Sequence, residues 1–445
     1  MLAATQDLAS AVACRRCDNA VVTDSTSGSV DLSTIERARL AIGGHIRNTP
    51  TWPSLTLSEH TGVSVLLKCE HLQRTGSFKI RGATNFVQGL DASRRAHGLV
   101  AASAGNHAQG VALAGTLQGI DVTVVMPVTA PLAKANAARG YGAKVVLYGE
   151  SLEEARTEAL AISARESRVF VPPFDSDAVI AGQGTIGLEI LEQVPDVQEI
   201  LVPTGGGGLL AGIAVAVKAL RPSVRVIGVQ SSAMDGVCQS FAAHRVVSTP
   251  HERTIADGAA VAGPSERTLA LIERNVDAMV SVGDDAVAHA IVLLMERSKM
   301  VVEGAGALAV AALESGAYRP VGVTVAVLSG GNIDVNLLGS IVRHGLVEAG
   351  RYQQLAVEVS DQPGELGRVA QAVAEAGANI ISVNHNRDAA GMPVGVAILE
   401  FLLEVHGKAH FEEVIGALVT QGLRRTDAGG ARLSTAGALR ERHND

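Results

Sequence analysis

The sequence is poor in cysteine, in aromatic residues and in charge. Four cysteines in 445 residues are too few for a disulfide-stabilised protein, which favours a reducing, cytoplasmic compartment. Aromatic residues make up only 3%, so the cores must be built from alanine, valine, leucine and isoleucine. Lysine and arginine number 37 against 45 aspartates and glutamates, and the resulting charge of −8 argues against nucleic acid or an anionic membrane as the main partner.

Long apolar runs are also missing. The apolar run that begins at Gly208 ends at Lys218, short of the ~20 residues that span a bilayer. The first twenty residues contain no uninterrupted apolar segment, so we expect no secretory signal, and we expect residues 1–30 to form a flexible arm. Cys14 and Cys17 in this arm have C-x-x-C spacing, but no second pair completes a zinc site, and no metal is expected.

Hydrophobic residues (47%) and glycine (48 residues) are plentiful. Between residues 31 and 348, short β-branched runs alternate with longer alanine-rich stretches, which predicts an α/β domain with an open parallel sheet covered by helices on both faces. Ligands of such sheets bind at the carboxyl ends of the strands. The predicted strands are Val63–Lys68, Val122–Met126, Lys144–Tyr148, Glu199–Pro203, Val224–Val229 and Val321–Leu328. The predicted helices are Ala130–Arg139, Leu152–Ala164, Gln183–Val194, Gly208–Leu220 and Asp284–Arg297.

The pattern changes after about residue 350. Residues 352–425 predict a second, smaller α+β domain with the βαββαβ order of a ferredoxin-like fold. Its predicted strands and helices are Leu355–Val359, Glu365–Glu375, Asn379–Val383, Pro393–Glu404 and Ala409–Leu418. Residues 426–445 are expected to be a solvated tail.

Lys79 is the first candidate for chemistry. It lies at a glycine turn that enters an apolar helix, beside Phe78, where little water would reach its amine. Desolvation lowers the pKa of a lysine, and a neutral amine can form a Schiff base. An ordinary exposed lysine at a helix start is the alternative.

A run of glycines, Gly205–Gly208, follows the predicted strand Glu199–Pro203 and opens the next helix. Consecutive backbone N–H groups in such a turn can converge on one phosphate. The run lacks the Gly-Lys-Ser/Thr of a nucleotide P-loop, and Gln230 stands where a dinucleotide site would have an acid. A single phosphate on a small cofactor fits better than either, with a bare tight turn as the alternative.

Two further segments, Ala101–His107 and Leu328–Asn332, follow apolar strands and open helices. They place Ser103, Asn106 and Ser329 at the rim of the predicted sheet. Serine and asparagine at these positions can also be simple helix caps. The combination of a shielded lysine, a phosphate-binding loop and two polar rims favours a cofactor site.

Together these segments resemble the fold-type-II pyridoxal-phosphate (PLP) enzymes, and in particular the threonine dehydratases (threonine ammonia-lyases). The resemblance covers about residues 32–345 and implies a tryptophan synthase β-like fold, with a smaller subdomain at about residues 75–175. Its main motifs are Ser-Phe-Lys-Ile-Arg-Gly at 77–82 and Ala-Ser-Ala-Gly-Asn-His-Ala-Gln-Gly at 102–110. Supporting stretches are residues 181–189, 254–258 and 303–307.

The resemblance implies a role for each candidate residue. Lys79 would be the Schiff-base lysine and the base for the α-proton, with the Phe78 ring beside the cofactor. Asn106 would contact the phenolic oxygen of PLP, and the loop that begins at Ser103 would bind the substrate carboxylate. Ser329 would hydrogen-bond the pyridine nitrogen, which makes the cofactor a weaker electron sink and favours prompt β-elimination. The phosphate would be held by the backbone of Gly205, Gly206, Gly207, Gly208 and Leu209.

Residues 355–423 resemble an ACT domain on two motifs, Asp361–Gly367 and Gly377–Ile380. The resemblance implies binding of a small amino acid as effector, and a homo-oligomer, dimer or tetramer, is expected. His406 and His410 have i,i+4 spacing but lack the glutamate of a zincin site.

The sequence differs from related enzymes of this fold in three respects. Serine racemases carry a second acid–base serine where this chain has Ala104, which disfavours racemisation. Their divalent-cation site uses carboxylates at positions that align with Gln230 and Gly236. The Ser-Val-Lys-Asp context of cysteine synthases is absent.

The expected activity is therefore conversion of L-threonine to 2-oxobutanoate and ammonia. L-Serine, which lacks one methyl group worth ~1–3 kcal/mol in a pocket, is expected to be a slower substrate. The alternatives are an L-serine or 3-hydroxyaspartate ammonia-lyase and a non-catalytic amino-acid sensor. Isoleucine or valine is the expected effector if the role is biosynthetic.

Overall fold

The computed structural model describes residues 30–387 and 393–426. The expected N-terminal arm with Cys14 and Cys17, and the expected C-terminal tail, lie outside these residues except for Val30 and Thr426.

The described chain alternates strands and helices. The strands, in chain order from β1 to β14, are Thr51–Pro53, Val65–Lys68, Leu99–Ala102, Val122–Met126, Lys144–Leu147, Val169–Phe170, Glu199–Pro203, Arg225–Ser231, Ala278–Val282, Thr324–Val327, Tyr352–Ser360, Asn379–Asn386, Val396–Glu404 and Arg424–Thr426. The α-helices, from α1 to α16, are Leu32–Ile42, Leu55–Thr61, Lys79–Gln88, Ala92–Ala96, Asn106–Leu117, Leu132–Gly140, Leu152–Glu166, Asp177–Gln193, Gly208–Leu220, Gly236–Ala243, Glu266–Asn275, Asp284–Leu293, Gly304–Glu314, Val335–Glu348, Glu365–Glu375 and Lys408–Thr420.

Strands β1 to β10 form two sheets, which are parallel except for β1. The larger has the order β1-β2-β10-β7-β8-β9, and β1 alone runs antiparallel to its neighbour. The smaller has the order β5-β4-β3-β6 and is parallel throughout. Every residue of the central strands β3, β4, β7 and β10 is buried, as expected when helices cover both faces. This confirms the predicted α/β fold.

The sequence predicted some elements to the residue and misplaced others. Strands β4 and β7 and helix α9 have the predicted bounds. Helix α8 begins at Asp177 and not at Gln183. A Cβ at Gly182 would lie 2.7 Å from Gly82 Cα of helix α3, so this glycine allows two helices to pack closely and does not end one.

The predicted helix Asp284–Arg297 was too long as an α-helix. Helix α12 ends at Leu293, and Leu294–Ser298 forms a π-helical turn. The turn closes at Lys299, which has a φ of 60°, and the N–H of Met300 donates to the carbonyl of Leu294. The segment then runs directly to Glu303 at the start of α13.

The C-terminal domain has the predicted βαββαβ order, and its antiparallel sheet is β12-β13-β11-β14. Helices α15 and α16 pack on one face of this sheet around a core that includes Val357, Val369, Phe401 and Val414. Its first strand contacts α14, and Arg351 at its entrance forms an ion pair of 3.0 Å with Glu296 in the π-helical turn.

A buried charge network fixes the start of helix α3. The Arg81 guanidinium is fully buried and donates to both oxygens of Glu70, at 2.7 and 2.8 Å, and to both oxygens of Glu189, at 2.6 and 2.9 Å. The Lys68 amine donates to the same Glu189 at 2.6 Å. Two cations face two carboxylates, so the network is neutral, as a buried set of charges must be.

Within the described ranges, no helix is both long and apolar enough to span a membrane.

Candidate active site

A cleft of about 2060 Å³ lies between the two parallel sheets, at the carboxyl ends of strands β3, β7 and β10. The structure brings every site residue predicted from the sequence to this one cleft. These residues are Phe78, Lys79, Ser103, Asn106, Gly205, Gly206, Gly207, Gly208, Leu209 and Ser329. They come from four separate chain segments, which the fold brings together at the cleft.

Lys79 is the first residue of helix α3, and its side chain lines the cleft. The Nζ atom donates to the carbonyl of Pro173 at 2.9 Å and lies 5.2 Å from the centre of the Phe78 ring. Burial of the amine lowers its pKa from 10.5 to about 8, and the nearby Glu303 carboxylate only partly opposes this shift. A substantial fraction of the amine is therefore neutral near physiological pH.

Backbone pairing brings Ser329 next to the lysine. The N–H of Phe78 donates to the carbonyl of Ser329 at 3.1 Å, and Ser77 and Gly330 form a β-bridge. Ser329 is buried, and its hydroxyl makes only a long contact of 3.4 Å to the carbonyl of Ala305. A hydroxyl held this loosely is available to a ligand in the cleft.

The glycine loop joins strand β7 to helix α9. Gly207 has a φ of 92°, a left-handed conformation that favours glycine, and no side chain caps the helix that follows. A Cβ at Gly206 would lie 2.5 Å from the Phe174 ring. The loop thus packs tightly against Phe174, and because no side chain caps α9, the first N–H groups of this helix can bind an anion.

The loop after strand β3 forms a second open helix start. Helix α5 begins at Asn106, and its N-cap, Gly105, provides no side-chain hydrogen bond. The Ser103 hydroxyl accepts a hydrogen bond from the N–H of Gly105 at 3.1 Å, which keeps the turn compact. The two open N-termini, of α5 and α9, give the cleft two separate places for negative charge.

Asn106 is held by two residues that sequence reasoning did not assign to the site. Its Nδ2 donates to Oε1 of Glu303 at 2.5 Å, and its Oδ1 accepts from Nδ2 of Asn332 at 2.7 Å. Glu303 begins one of the supporting stretches, but nothing in that stretch indicated that its carboxyl faces a residue 197 positions earlier.

Two other polar residues considered in the sequence make contacts within the protein. Burial and the charge of Lys79 lower the pKa of His107 to about 3, so its ring is neutral and is held by the carbonyl of Val171 at 2.9 Å. Gln230 accepts from the N–H groups of Val237 and Cys238 at 3.1 Å and so caps helix α10. Among residues 30–387 and 393–426, no group of three or more His, Cys, Asp or Glu side chains could hold a metal ion.

The arrangement can perform a specific kind of chemistry. A shielded amine shares one cleft with two helix N-termini that favour anions, with the side-chain amide of Asn106 and with the hydroxyl of Ser329. Such a set suits a phosphorylated carbonyl cofactor and a substrate that carries a carboxylate.

Comparison with known proteins agrees with this geometry. Residues 42–330 match the family described as "Pyridoxal-phosphate dependent enzyme", and residues 351–420 match the ACT domain. The chain is 45% identical over 393 residues to the L-threonine ammonia-lyase of Thermotoga maritima, which covers 88% of this chain and 98% of that protein.

Solved structures of the same fold extend the comparison. The processed form of threonine deaminase isoform 2 from Solanum lycopersicum is 36% identical with a TM-score of 0.67, covering 71% of this chain and 94% of that one. Maize serine racemase is 33% identical with a TM-score of 0.68, covering 72% of this chain and 99% of that one. The resemblances to fold-type-II enzymes and to an ACT domain are thereby confirmed: the chain belongs to the pyridoxal-phosphate-dependent enzymes and carries an ACT domain after its catalytic domain.

Proposed function

We propose that this chain is a PLP-dependent threonine ammonia-lyase that converts L-threonine to 2-oxobutanoate and ammonia. The single observation that carries the proposal is the Lys79 amine, which is shielded enough to have a pKa of about 8 and lies in one cleft with two uncapped helix N-termini. The 45% identity to a threonine ammonia-lyase over most of both chains supports the choice of substrate.

The residues present fit the cofactor. The open N–H groups of Gly205–Gly208 and Leu209 suit its phosphate, and the loosely held Ser329 hydroxyl suits its pyridine nitrogen. Asn106 has a second Nδ2 hydrogen beyond the one given to Glu303, which suits the phenolic oxygen. Lys79 would hold the cofactor covalently, with the Phe78 ring beside it.

When bound, PLP supplies an electrophilic carbonyl for an amino group and a ring that withdraws electrons from the substrate α-carbon. The protein's part begins with Lys79. Once the amino group of the substrate has displaced it from the cofactor, the Lys79 amine would take the α-proton at Nζ. The Pro173 carbonyl, 2.9 Å from Nζ, keeps the amine inside the cleft and accepts a hydrogen bond from it.

Ser103 and the start of helix α5 would orient the substrate. The first N–H groups of α5 have no intrahelical acceptor, and no side chain caps them, so a substrate carboxylate can complete the helix. The Ser103 hydroxyl, which accepts from Gly105, still has its own proton to donate. Fixing the carboxylate fixes the α-carbon relative to Lys79.

Ala104 distinguishes elimination from racemisation. Racemisation needs a second acid on the face of the α-carbon opposite the lysine, and the methyl group of Ala104 cannot supply a proton. This feature weighs against serine racemase activity, although maize serine racemase has the same fold. Loss of the β-hydroxyl as water and later hydrolysis then give the 2-oxo acid and ammonia.

Regulation is assigned to the C-terminal domain. An ACT domain supports binding of a small amino acid, and isoleucine or valine is the proposed effector if the role is biosynthetic. We also propose a homo-oligomer, dimer or tetramer, in the cytoplasm. These assignments add to the proposed chemistry and are not needed for it.

The decisive experiment is a steady-state assay of 2-oxo acid release from L-threonine, L-serine and 3-hydroxyaspartate. The expected result is the highest kcat/KM for L-threonine, with L-serine lower by a factor of roughly 10–200, the value of one methyl group. A preference for L-serine or 3-hydroxyaspartate would replace threonine as the substrate. A chain without visible cofactor absorbance and without turnover would be an amino-acid sensor and not an enzyme.

A further inference from the structure

The cleft contains a buried carboxyl group that the proposed chemistry does not use. Glu303 is the residue before helix α13, and its side chain does not cap that helix. It is buried at the wall of the cleft, where its Oε1 lies 2.5 Å from Nδ2 of Asn106. Burying a carboxyl group is costly, so its position next to Asn106 requires an explanation.

The hydrogen bonds around Asn106 determine which way its side-chain amide is oriented. Nδ2 of Asn332 donates to two acceptors, the carbonyl of Thr75 and Oδ1 of Asn106, both at 2.7 Å. Because an amide nitrogen has two hydrogens and no lone pair to offer, Asn106 must turn its oxygen towards Asn332. Its nitrogen then faces Glu303, which accepts one of the two Nδ2 hydrogens.

The space around the Glu303 carboxyl group depends on a neighbouring glycine. A Cβ at Gly330 would collide with Oε1 of Glu303 and would lie 3.1 Å from Nδ2 of Asn106. The absence of a side chain at Gly330 therefore leaves room for the Glu303–Asn106 pair.

We infer that Glu303 is a positioning residue, whose carboxylate fixes the side-chain amide of Asn106 so that the second Nδ2 hydrogen stays available to the phenolic oxygen of the cofactor. This inference rests on the proposed function, because Asn106 has that contact only in a PLP enzyme. Without an acceptor at position 303, the amide loses the partner that opposes Asn332 and can turn away from the cofactor.

Charges on three other elements act on Glu303. Burial and the carboxylate of Asp257 raise its pKa to about 7, while the hydrogen bond from Asn106 and the cations Lys134 and Lys79 act in the opposite direction. Glu303 is therefore ionised above about pH 7 and protonated below it. A protonated carboxyl group accepts more weakly, so the hold on Asn106 should weaken as the pH falls through 7.

The test compares the full-length holoenzyme with two variants at the site and one control. Glu303→Ala removes the acceptor, and Glu303→Gln keeps a neutral acceptor of the same shape. Glu199→Gln is the control, because Glu199 is also a fully buried carboxylate but pairs with Arg225 and Tyr318 at the start of strand β7, at the opposite end of that strand from the glycine loop. The readouts are the PLP dissociation constant, the visible absorbance of the bound cofactor from pH 6 to 9, and kcat and KM for L-threonine.

Glu303→Ala should weaken PLP binding by on the order of tenfold, the value of one hydrogen bond to a charged group. It should also shift the cofactor absorbance to shorter wavelength, because a hydrogen-bond donor at the phenolic oxygen stabilises its ionised form. The wild-type spectrum should change with a pKa near 7, and Glu303→Gln should bind PLP within a few-fold of wild type but lose this titration. Glu199→Gln should lower thermal stability without moving the spectrum.

Three results would overturn the inference. One is a Glu303→Ala protein with the spectrum and PLP affinity of wild type. If that variant does not fold, Glu303→Gln decides, since an unchanged titration near pH 7 would exclude Glu303 as its source. The third is a Glu199→Gln spectrum that shifts as much as those of the site variants. Failure of the proposed function is a different outcome: wild-type protein would then have neither PLP absorbance nor release of 2-oxo acid.

Discussion

Some glycines of the catalytic domain have surroundings opposite to those of the helical glycines in the ACT domain. In the catalytic domain, a methyl group added at Gly182 would lie 2.8 Å from the carbonyl oxygen of Arg81, and one added at Gly206 would lie 2.5 Å from the Phe174 ring. In the ACT domain, a methyl group at Gly367 or Gly416 would have no neighbouring atom within 4 Å. Helices α3 and α8 of the catalytic domain thus pack backbone against backbone, whereas the helices of the ACT domain pack through side chains on one face.

The sheets differ in the same way. Strands β4, β7 and β10 are buried along their whole length, but strand β12 at the edge of the ACT sheet has exposed residues at six of its eight positions, including Ile381 and Val383. Close packing fixes the atoms around Lys79, as catalysis requires. The edge strand β12 of the ACT sheet, by contrast, is largely exposed.

The largest effect should come from removing the amine of Lys79 in the cleft of the catalytic domain. Lys79→Ala should lower turnover of L-threonine by at least ~10³-fold, since general acid–base catalysis alone contributes ~10²–10⁴-fold. Circular dichroism and thermal unfolding should show an intact fold. In wild type, peptide mapping after borohydride reduction should find the pyridoxyl mass on Lys79.

Two other lysines serve as controls in that mapping. Lys68 is buried against Glu189 at 2.6 Å, and Lys134 pairs with Asp257 at 2.6 Å. The pyridoxyl mass on either of them would refute the assignment of Lys79.

The packing difference itself can be tested with a matched pair of glycine variants. Gly206→Ala should destabilise the protein by ~1–3 kcal/mol because the Phe174 ring must move, and it should weaken PLP binding as the phosphate loop shifts. Gly416→Ala, in the exposed part of helix α16, should stabilise the ACT domain by ~0.5–1 kcal/mol through better helix propensity. Denaturant unfolding and PLP titration measure both, and equal effects of the two variants would contradict the difference in packing.

Removing the ACT domain should abolish the response to amino-acid effectors and leave the turnover of L-threonine intact. A chain truncated after Gly350 keeps every residue proposed to contact PLP and loses the Arg351–Glu296 ion pair. It should retain PLP absorbance and turnover but lose its response to isoleucine or valine, a coupling of typically ~1–3 kcal/mol.

Threonine saturation curves of the full-length and truncated proteins, with and without each amino acid, provide the measurement. Curves of the full-length protein that coincide for every proteinogenic amino acid would leave the ACT domain as an assembly module only.

The smallest expected effect on activity comes from a substitution at Ala104 in the catalytic domain. Ala104→Ser should add detectable formation of D-serine from L-serine by placing a hydroxyl on the face opposite Lys79, while the barrier for elimination changes by ~1 kcal/mol or less. Chiral chromatography of the products measures it. D-Serine made by the unmodified enzyme at a rate comparable to pyruvate would show that Ala104 does not prevent racemisation.

The sequence predicted the parts of the fold that depend on local pattern. Strand β7 and helix α9 were predicted to the residue because a β-branched run, a glycine turn and an alanine-rich helix follow one another directly. The start of α8 and the π-helical turn Leu294–Ser298 were not predicted. At Gly182 a neighbouring helix packs closely, which lets α8 continue through the glycine. The structure gives no physical reason for the π-helical turn, and its ion pair from Glu296 to Arg351 is half-exposed.

The same distinction holds for the site. Each predicted site residue stands in a motif and reached the cleft with it. Glu303 and Asn332 were not assigned to the site because their roles arise only from contacts with Asn106, 197 and 226 positions away in sequence. Pro173 likewise meets Lys79 across 94 positions. Contacts between residues so far apart in the chain cannot be predicted from a local sequence pattern.

The buried charge network next to Lys79 has a consequence for how the protein folds. Arg81 needs carboxylates from Glu70 and Glu189, which lie 11 and 108 positions away, and a buried guanidinium without them would be strongly destabilising. Docking of helix α3 therefore requires helix α8 to be in place beside it. A partly folded chain would not present Lys79 in its native setting, so we expect competence to take up the cofactor to appear together with the global folding transition and not before it.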